Sequence, residues 1–306
     1  MKYVVSGYIG FDNFGDEAIA HVLAQKLKND GAEKVTMISS SPEKTSKLHE
    51  VDSCSMLNFI PSLIKSDVLV SGGGSLLQDV TSLKSLIYYL IVIYSALFLR
   101  KKVWIYAQGI GPIKSKIGQI LTRFGLKRAE KISVRDKKSQ ELLKSWGIES
   151  ELVKDPIFEI ELPQKNVKGT VGVQLRSFNG INDNFLEKLA DEIAKRFYDK
   201  KVEVISLQDS IDKEICEEFA EKLKSKGLDR IEVLKELSLS DVFETISNLE
   251  YLVAMRFHAN VVGIKSGVKT LAINYDPKVE KLALEYNLPY INLDSNDFSE
   301  QFEKLF

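Results

Sequence analysis

The sequence predicts an α/β protein built from two Rossmann-like domains that face each other across a cleft. Three observations lead to this prediction. Short apolar runs alternate with longer helical segments along the chain of 306 residues, as in doubly wound parallel sheets. Most of the apolar runs end directly in a glycine-rich or polar signature, which is where open α/β sheets bind ligands. The alternation breaks once, in a polar stretch around Pro163 that is typical of a linker between domains.

Length and composition exclude several classes of protein. The chain is long enough for two domains with sizeable cores, which we place at residues 1–162 and 163–306. A net charge of −1 and a pI near 6.4 argue against a general nucleic-acid binder. Cys54 and Cys216 lack the spacing of a metal site, so we expect reduced core thiols in a cytoplasmic protein. The first residues lead into a strand and do not resemble a signal peptide.

A glycine-rich loop follows the first predicted strand (residues 2–6) and precedes a helix that ends near residue 30. The loop has neither the dinucleotide-binding spacing nor the Gly-Lys-Ser/Thr of a P-loop. Asp12, Asn13, Asp16 and Glu17 make it acidic, so it repels phosphate and suits the hydroxyl groups of a sugar or another polyol acceptor. The same residues are equally consistent with plain capping of the helix by Asp16, with Glu17 in its first turn.

Four more strands are predicted in the first domain, at residues 34–38, 67–71, 102–107 and 131–134. Signatures follow three of them: SGGGS with QD shortly after, QGIGP, and RD. Because the carboxyl ends of parallel strands share one edge of the sheet, these signatures should lie side by side. The triple glycine permits close approach of a ligand or of the facing domain. The residues that we expect on the acceptor side are Gly73, Gly74, Ser75, Gln78 and Gln108.

Arg135 comes directly after the strand at residues 131–134. Asp136 is expected to cap the helix that follows. Arg135 is therefore a candidate for binding an anionic ligand at the edge of the sheet. A salt bridge to Asp136 or Asp155 is the other interpretation.

One segment of the first domain is apolar on all sides. From residue 85 to residue 99 it contains 15 residues without a charge, short of the roughly 20 that span a bilayer. A helix buried between sheet layers accounts for the pattern. The alternative is a helix that touches a membrane surface through its tyrosines and the basic tail Arg100-Lys101-Lys102.

The second domain repeats the alternation. Strands are predicted at residues 170–175, 202–207, 231–234, 251–255 and 268–274, with helices at 183–199, 211–227 and 238–248 among them. Arg176 follows the first of these strands. Arg256 and His258 lie where the strand at 251–255 passes into a helix, and free backbone N–H groups at such a place favour anions.

Lys278 occupies the matching place after the strand at residues 268–274. Asp276 and Pro277 form an N-cap and a first helical position that direct Lys278 out of the turn. Together with Arg256 and His258 it predicts a site for an anionic ligand. The alternative is that the two cations are solvated and that the histidine is structural.

Six motifs, taken together and in order, resemble the polysaccharide pyruvyl transferases. They are GYIGFDNFGDEA (7–18), SGGGSLLQD (71–79), AQGIGP (107–112), SVRD (133–136), MRFHA (255–259) and DPKV (276–279). The likeness extends from residue 3 to about residue 282 and is greatest to bacterial enzymes that place a pyruvate ketal on a cell-wall polymer. One departure is Phe257, where leucine is expected in this family.

The resemblance implies a fold like that of the B-type glycosyltransferases. It implies phosphoenolpyruvate as donor, bound by the C-terminal domain. The implied acceptor is a lipid-linked precursor of a cell-wall polymer that contains N-acetylhexosamine, bound by the N-terminal domain. No metal and no cofactor other than this co-substrate is implied. The enzyme would be cytoplasmic, with peripheral contact to the inner membrane surface, and would not bind nucleic acid.

The resemblance also implies roles for the residues singled out above. Phosphoenolpyruvate carries a carboxylate and a phosphate, and arginine recognises such groups through two parallel hydrogen bonds. Arg256, Lys278 and one of Arg135 and Arg176 would bind it. Ketal formation needs a general acid with a pKa near neutrality, and His258 is the candidate by type and position. The catalytic set is therefore His258, Arg256 and Lys278.

Two other functions remain possible on the sequence. A glycosyltransferase of the same architecture would use a nucleotide sugar, and fold alone does not separate the two activities. The Arg-x-His and Asp-Pro-Lys motifs suit a small, highly charged donor better than a uridine diphosphate. A non-catalytic sugar-binding protein would leave His258 and the strand-end cations without a role.

Overall fold

The structure is a computed structural model that describes residues 1–80 and 82–306. It divides into two compact units, Met1–Ile160 and Glu161–Phe306, where the sequence places the boundary after residue 162. Each unit contains one parallel β-sheet with helices packed against it. The predicted α/β class with two Rossmann-like domains is confirmed.

The N-terminal unit is built on an eight-stranded sheet with the order β3-β2-β1-β4-β6-β7-β8, in which β5 pairs with β6. Its strands are β1 (Lys2–Ser6), β2 (Lys34–Ser39), β3 (Asp52–Ser55), β4 (Val68–Ser71), β5 (Gly74–Leu77), β6 (Lys102–Ile110), β7 (Lys131–Val134) and β8 (Glu151–Leu152). Its helices are α1 (Phe14–Asn29), α2 (Pro42–His49), α3 (Phe59–Ile64), α4 (Leu83–Phe98), α5 (Lys116–Leu126) and α6 (Lys137–Ser145), with a 3₁₀ turn at Pro156–Glu159.

The C-terminal unit has a six-stranded sheet with the order β11-β10-β9-β12-β13-β14. Its strands are β9 (Val171–Gln174), β10 (Val202–Ile205), β11 (Ile231–Leu234), β12 (Tyr251–Ala254), β13 (Lys269–Asn274) and β14 (Tyr290–Asn292). Its helices are α7 (Asp183–Arg196), α8 (Asp209–Ser225), α9 (Leu239–Ser247), α10 (Phe257–Lys265), α11 (Pro277–Glu285) and α12 (Phe298–Glu303).

The order of the strands defines where a ligand can bind in each unit. In both sheets the first strand of the unit lies between the second and the fourth. The chain therefore leaves β1 and β4 in opposite directions, and it does the same at β9 and β12. A crevice forms at such a switch point, outside the carboxyl ends of the strands. The loops after β1 and β4 border the crevice of the N-terminal unit, and the loops after β9 and β12 border that of the C-terminal unit.

Each unit has its own apolar core. The central strands β4, β9 and β12 are buried at every position, as expected for parallel strands covered by helices on both faces. In the C-terminal unit the large buried side chains include Phe197, Phe219 and Phe302. Cys54 and Cys216 are free thiols, and burial raises the pKa of Cys216 to about 12.

Several elements differ from the sequence prediction. The short strands β3 and β5 are polar or begin with glycine, so they lack an apolar run. β6 continues past residue 107 to Ile110 because β5 pairs with it, with Gly74 opposite Gln108 and Leu77 opposite Ile110. Such pairing is a long-range contact, which local hydrophobicity does not reveal.

The apolar segment at residues 85–99 forms α4, but the prediction of a buried helix is only half correct. One face is buried, through residues that include Leu86, Leu90 and Ile93. The opposite face, with Ile87 and Ile91, is exposed. Among the residues described, no helix combines the length and the apolar character needed to cross a membrane.

Candidate functional site

The loop after β1 is held in place by three acidic or amide side chains. Asn13 is the N-cap of α1, and its side chain accepts a hydrogen bond from Gly15 N at 3.1 Å. The proposed cap by Asp16 is therefore wrong, and Asp16 lies in the first turn of the helix. Asp12 is exposed, has a positive φ of 57°, and forms an ion pair with Lys44 at 2.6 Å.

Glu17 has a role that the sequence does not reveal. Its Oε1 accepts a hydrogen bond from Gly10 N at 2.7 Å, and its Oε2 lies 3.0 Å from Nε2 of His49 in α2. Glu17 and His49 are both buried. The carboxylate thus ties the loop after β1 to the core of the unit, a contact that neither of the two interpretations of this acidic loop includes.

The structure brings the loops after β1 and β4 together. Gly74 has a φ of +92°, which glycine adopts far more easily than other residues. A Cβ atom at this position would lie 2.9 Å from Asp16 Oδ1. At Gly73, a Cβ would lie 2.6 Å from Ile19 Cγ2 in α1. Both glycines are needed for close packing, and the Asp16 carboxylate lies directly against the turn.

Arg135 is bound to residues of its own unit. Its Nη1 donates to Asp155 Oδ2 at 2.6 Å, and its Nη2 donates to Ser75 Oγ at 3.0 Å. The salt bridge to Asp155, which the sequence left open, is therefore present. Asp136 instead caps α6 by accepting from Ser139 N at 2.9 Å. Arg135 thus joins the end of β7 to the exposed Ser75, which follows the turn at residues 72–74 that we call the glycine turn.

Gln108 is buried, contrary to its predicted contact with an acceptor, and the side-chain oxygen of Gln78 is engaged within its own turn. Gln108 has no exposed surface, and its Nε2 donates to Ser71 Oγ at 2.8 Å and to Gly72 O at 2.6 Å. Its place is under the glycine turn, which it supports from within the sheet. Gln78 Oε1 accepts from Val80 N at 2.7 Å and stabilises its own turn.

In the C-terminal unit, the ends of β9 and β12 are joined by hydrogen bonds. Gln174 is buried at the end of β9, and its Oε1 accepts from Arg256 N at 2.8 Å. Arg176 N lies 3.3 Å from the sulfur of Met255. The residues after these two strands are therefore held on either side of the switch point.

Arg256 points into the protein, contrary to the predicted contact with the donor. Its Nε and Nη2 donate to the two carboxylate oxygens of Asp212 in α8, at 2.7 and 2.8 Å. Its Nη2 also donates to Gln208 Oε1 at 3.0 Å. Arg256 is 6% exposed and Asp212 is completely buried. The bidentate face of the guanidinium is thus occupied by a carboxylate of the protein itself.

Arg176 lies at the end of β9 beside an aromatic pair. Its Nη1 donates to the Tyr275 hydroxyl at 3.4 Å, and its guanidinium carbon is 5.7 Å from the centre of the Tyr275 ring. Phe178 contacts the same ring, edge to face, at 5.2 Å between centroids. Arg176 is half-buried, and its Nε has no hydrogen-bond partner among the described residues.

His258 lies in the first turn of α10, as predicted. Arg256 is the N-cap residue of this helix, but its side chain does not cap the first turn. The backbone N–H groups at the start of α10 therefore retain the partial positive charge of a helix N-terminus. His258 is half-buried and contacts the Phe257 ring at 5.1 Å between centroids.

Lys278 lies at the start of α11. The predicted N-cap by Asp276, with Pro277 at the first helical position, is confirmed, and Asp276 Oδ1 accepts from Lys278 N at 3.0 Å. The Lys278 ammonium is exposed and 3.9 Å from Asp276 Oδ2. In the described part of the chain, no ion pair joins it to another carboxylate.

No group of three or more His, Cys, Asp or Glu side chains in the described residues could hold a metal ion. In the C-terminal unit, the strand ends offer cations, a histidine and helix N–H groups. In the N-terminal unit, the loop ends offer a carboxylate and a hydroxyl.

Comparison with known sequences identifies the family. The family model described as polysaccharide pyruvyl transferase matches residues 13–277, which contain all six motifs except the start of the first (7–12) and the end of the last (278–279). No curated protein sequence matches the chain.

Solved structures with the same fold include a UDP-GlcNAc 2-epimerase and proteins in complex with UDP. The UDP-GlcNAc 2-epimerase of Methanocaldococcus jannaschii aligns with a TM-score of 0.67 and 13% identity, over 100% of this chain and 91% of the other. The MnaA–UDP structure from S. aureus aligns with a TM-score of 0.68 and 11% identity, over 100% of this chain and 88% of the other. HepE of Anabaena, in complex with UDP and glucose, aligns with a TM-score of 0.61 and 12% identity, over 95% of this chain and 85% of the other. At these identities the likeness concerns the fold, which is that of the B-type glycosyltransferases.

Proposed function

The chain belongs to the polysaccharide pyruvyl transferase family, and we propose that it transfers the pyruvyl group of phosphoenolpyruvate to two hydroxyl groups of a sugar. The product is a cyclic ketal, and phosphate is released. The observation that carries this proposal is the arrangement in the C-terminal unit, where Arg176, His258 and an N-terminus without a side-chain cap border one switch point.

The donor carries both a carboxylate and a phosphate, so its site must offer several fixed positive groups. Arg176 supplies a guanidinium whose one hydrogen bond among the described residues is the weak 3.4 Å contact with Tyr275. The first turn of α10 supplies backbone N–H groups suited to an anion. Lys278 supplies a third positive group from the start of α11, on a long and exposed side chain. Of the two arginines left open by the sequence, we assign the donor to Arg176, because Arg135 is engaged by Asp155.

The reaction begins with a proton transfer. His258, as the imidazolium, donates a proton to the methylene carbon of phosphoenolpyruvate, and positive charge develops on the neighbouring carbon. One sugar hydroxyl attacks that carbon and loses its proton. The carbon–oxygen bond to phosphate then breaks, and the second hydroxyl closes the ketal. Two hydroxyl protons are lost overall, while one proton enters the new methyl group and one leaves with phosphate.

Arg256 acts in this proposal as a positioning residue. It is the N-cap of α10, its backbone N–H is held by Gln174, and its side chain is held by Asp212. These bonds connect α10 to β9 and α8. The direction of the first turn of α10, and so the position of His258, depends on them.

The acceptor is assigned to the N-terminal unit, on a narrower set of residues than the sequence indicated. Asp16 and Ser75 present a carboxylate and a hydroxyl beside Gly74, and both can bind sugar hydroxyl groups. Arg135 holds Ser75 in this position. Gln108 supports the turn from below, while Asp12 and Asn13 shape the loop. We propose a lipid-linked cell-wall polymer precursor as the natural acceptor.

The test uses the whole purified protein with phosphoenolpyruvate and a disaccharide on a short lipid mimic. Phosphate release and the mass of a pyruvyl ketal on the sugar are measured together. A parallel reaction contains a uridine diphosphate sugar in place of phosphoenolpyruvate. Transfer of a sugar residue in the second reaction, with no ketal in the first, would identify a glycosyltransferase and refute the proposal.

A further inference from the structure

The N-terminal unit exposes a continuous set of large apolar side chains on three helices, which we call the apolar face. On α4 and α5 the exposed fractions reach 53% at Ile91, 88% at Phe98 and 70% at Ile117. The apolar face consists of Ile60 and Ile64 of α3, Leu83, Ile87, Ile91 and Phe98 of α4, and Ile117, Ile120, Leu121 and Phe124 of α5. Apolar patches of this extent mark interaction surfaces in soluble proteins.

The helices that carry the apolar face are firmly packed against each other. The Tyr94 hydroxyl donates to the backbone oxygen of Leu121 at 2.8 Å. Gly118 and Gly125 allow α5 to approach α4 closely, since a Cβ would lie 3.0 Å from Leu86 Cδ2 at Gly118 and 3.6 Å from Ile93 Cγ2 at Gly125. Between the helices runs a groove of about 560 Å³ lined by residues that include Ile87 and Tyr94. The face is therefore a built surface of the fold.

The charged side chains of α4, of α5 and of the segment between these helices are all basic. Between Asp79 and Glu130 the sequence contains nine lysines and arginines and no aspartate or glutamate, in a chain whose net charge is −1. Six of the nine are exposed and have no ion pair among the described residues: Lys84, Arg100, Lys114, Lys116, Arg123 and Lys127. Arg128 is also exposed, and its guanidinium lies over the Phe124 ring at 3.5 Å.

The basic tail predicted after α4 contributes less than the sequence suggests. Lys101 Nζ donates to the backbone oxygens of Ile64 and Ser66, at 2.8 and 2.6 Å. Lys102 is paired with Glu130 at 3.1 Å. Only Arg100 of this tail remains exposed without a paired acid, so most of the exposed positive charge comes from α5 and its flanking residues.

We propose that the apolar face binds the surface of a bilayer that contains anionic phospholipids, with α4 and α5 lying on the membrane. Helices of this kind bury their apolar side at the boundary of headgroups and acyl chains, while lysines and arginines meet the anionic headgroups. A second copy of the chain fits less well. A symmetric dimer through this face would bring the basic side chains of α5 and its flanking residues in two copies together, and like charges across an interface are unfavourable.

This inference does not depend on the proposed function, because it concerns only α3, α4, α5 and the charges around them. It can therefore be tested without substrate. If the enzyme proved to use another donor or acceptor, the lipid-binding result would be unaffected. Conversely, loss of lipid binding would leave the reaction with a soluble acceptor unchanged.

The test is cosedimentation of the full-length protein with vesicles of phosphatidylcholine alone or mixed with phosphatidylglycerol. We expect binding to the anionic vesicles that weakens as salt is raised. The variant with Ile117→Glu and Ile120→Glu should bind at least about tenfold more weakly, because both side chains would leave the acyl region. Arg123→Glu with Lys127→Glu should also weaken binding at least about tenfold, since each basic residue near such a surface contributes.

The matched control is Leu284→Glu, which changes an exposed leucine of α11 in the other unit, at 61% exposure. It should bind vesicles as the wild type does. Three results would overturn the proposal: no binding of the wild type to anionic vesicles at low salt, equal binding by the Ile117/Ile120 variant, or a dimer in sedimentation equilibrium that this variant dissociates.

Discussion

At the scale of single residues, the polar side chains that the sequence offers as ligands divide into two groups. Arg256, Gln108 and Arg135 are bound to other groups of their own unit. Arg176, which is half-buried, and Lys278, which is exposed, carry positive charge at strand ends. A buried arginine that forms two bonds to a buried aspartate is stable only as a pair, since either partner alone would leave an uncompensated charge in the interior. This difference separates residues that position the site from those that can bind a ligand.

Replacement of Asp212 by alanine should destabilise the protein by about 3–5 kcal/mol, because Arg256 would remain buried without its partner. Arg256→Ala should have a similar cost, and the double variant should cost clearly less than the sum of the two. The free energy of unfolding from urea titrations measures all three. Additive losses would show that the two side chains do not act as a pair.

The His258→Ala variant should lose about 10²–10⁴ in the rate of ketal formation, the usual contribution of a general acid. Binding of phosphoenolpyruvate, measured by calorimetric titration, should change little, because Arg176 and the N–H groups of α10 remain. Arg176→Ala is the matched variant, and we expect it to weaken donor binding instead. Full activity of the His258 variant would remove it from the mechanism.

Stability should depend on pH through His21, a half-buried residue of α1. Burial, with the nearby His49 and Lys28, lowers the pKa of His21 below its ordinary value of 6.5. The unfolded chain therefore takes up a proton first as the pH falls. The contribution of His21 is complete above pH 6.5 and is lost as the pH falls through the lowered pKa.

The free energy of unfolding measured from pH 8 to pH 5 should therefore fall less steeply in His21→Gln than in the wild type. The difference in slope is at most about 1.4 kcal/mol per pH unit, the limit for one proton. Parallel curves for the two proteins would show that His21 has the same pKa in the folded and unfolded states.

At the scale of secondary-structure elements, the site is made where strands pass into helices. The turn from β1 to α1 is capped by Asn13 and tied to α2 through Glu17 and His49. The turn after β4 contains Gly74, which leaves room for the Asp16 carboxylate. One loop thus combines residues that define its shape with a residue that faces the neighbouring turn, and the two roles can be separated by mutation.

Asn13→Ala should lower stability by about 1 kcal/mol through loss of the cap. Asp16→Ala should impair use of the sugar acceptor, while donor affinity is preserved. Melting temperature and acceptor kinetics on the same samples distinguish the two variants. If Asp16→Ala lowered only the melting temperature, Asp16 would be a structural residue and the acceptor assignment would fail.

At the scale of the whole molecule, the chain consists of two units. Each unit has its own β-sheet, which shares no strand with the other, and its own apolar core. The C-terminal unit contains the large cluster around Val171, Phe197 and Phe219. The N-terminal unit contains the clusters around Val4 and Leu90 and around Val5 and Met37. Domains with their own cores can in principle fold alone.

The segment from residue 161 to residue 306, produced by itself, should therefore fold into a helix- and strand-containing structure with a cooperative urea transition. Circular dichroism and urea titration provide the measurement. An unfolded chain, or one that melts without a transition, would mean that this unit requires the N-terminal one to fold.

The sequence by itself determined the α/β class, the place of most central strands and the family. These features arise from local patterns, and the strands at residues 2–6, 131–134 and 231–234 match β1, β7 and β11. Only the tertiary structure decided which partner each polar side chain takes. Arg256 and Asp212 are 44 residues apart in the chain, and Glu17 and His49 are 32 apart. It also decided that α4 buries one apolar face and exposes another. The choice of partner and the exposure of a face depend on contacts between elements that are distant in the sequence. Hydrophobic periodicity indicates which side of an element is apolar, but it does not identify the groups that this side contacts.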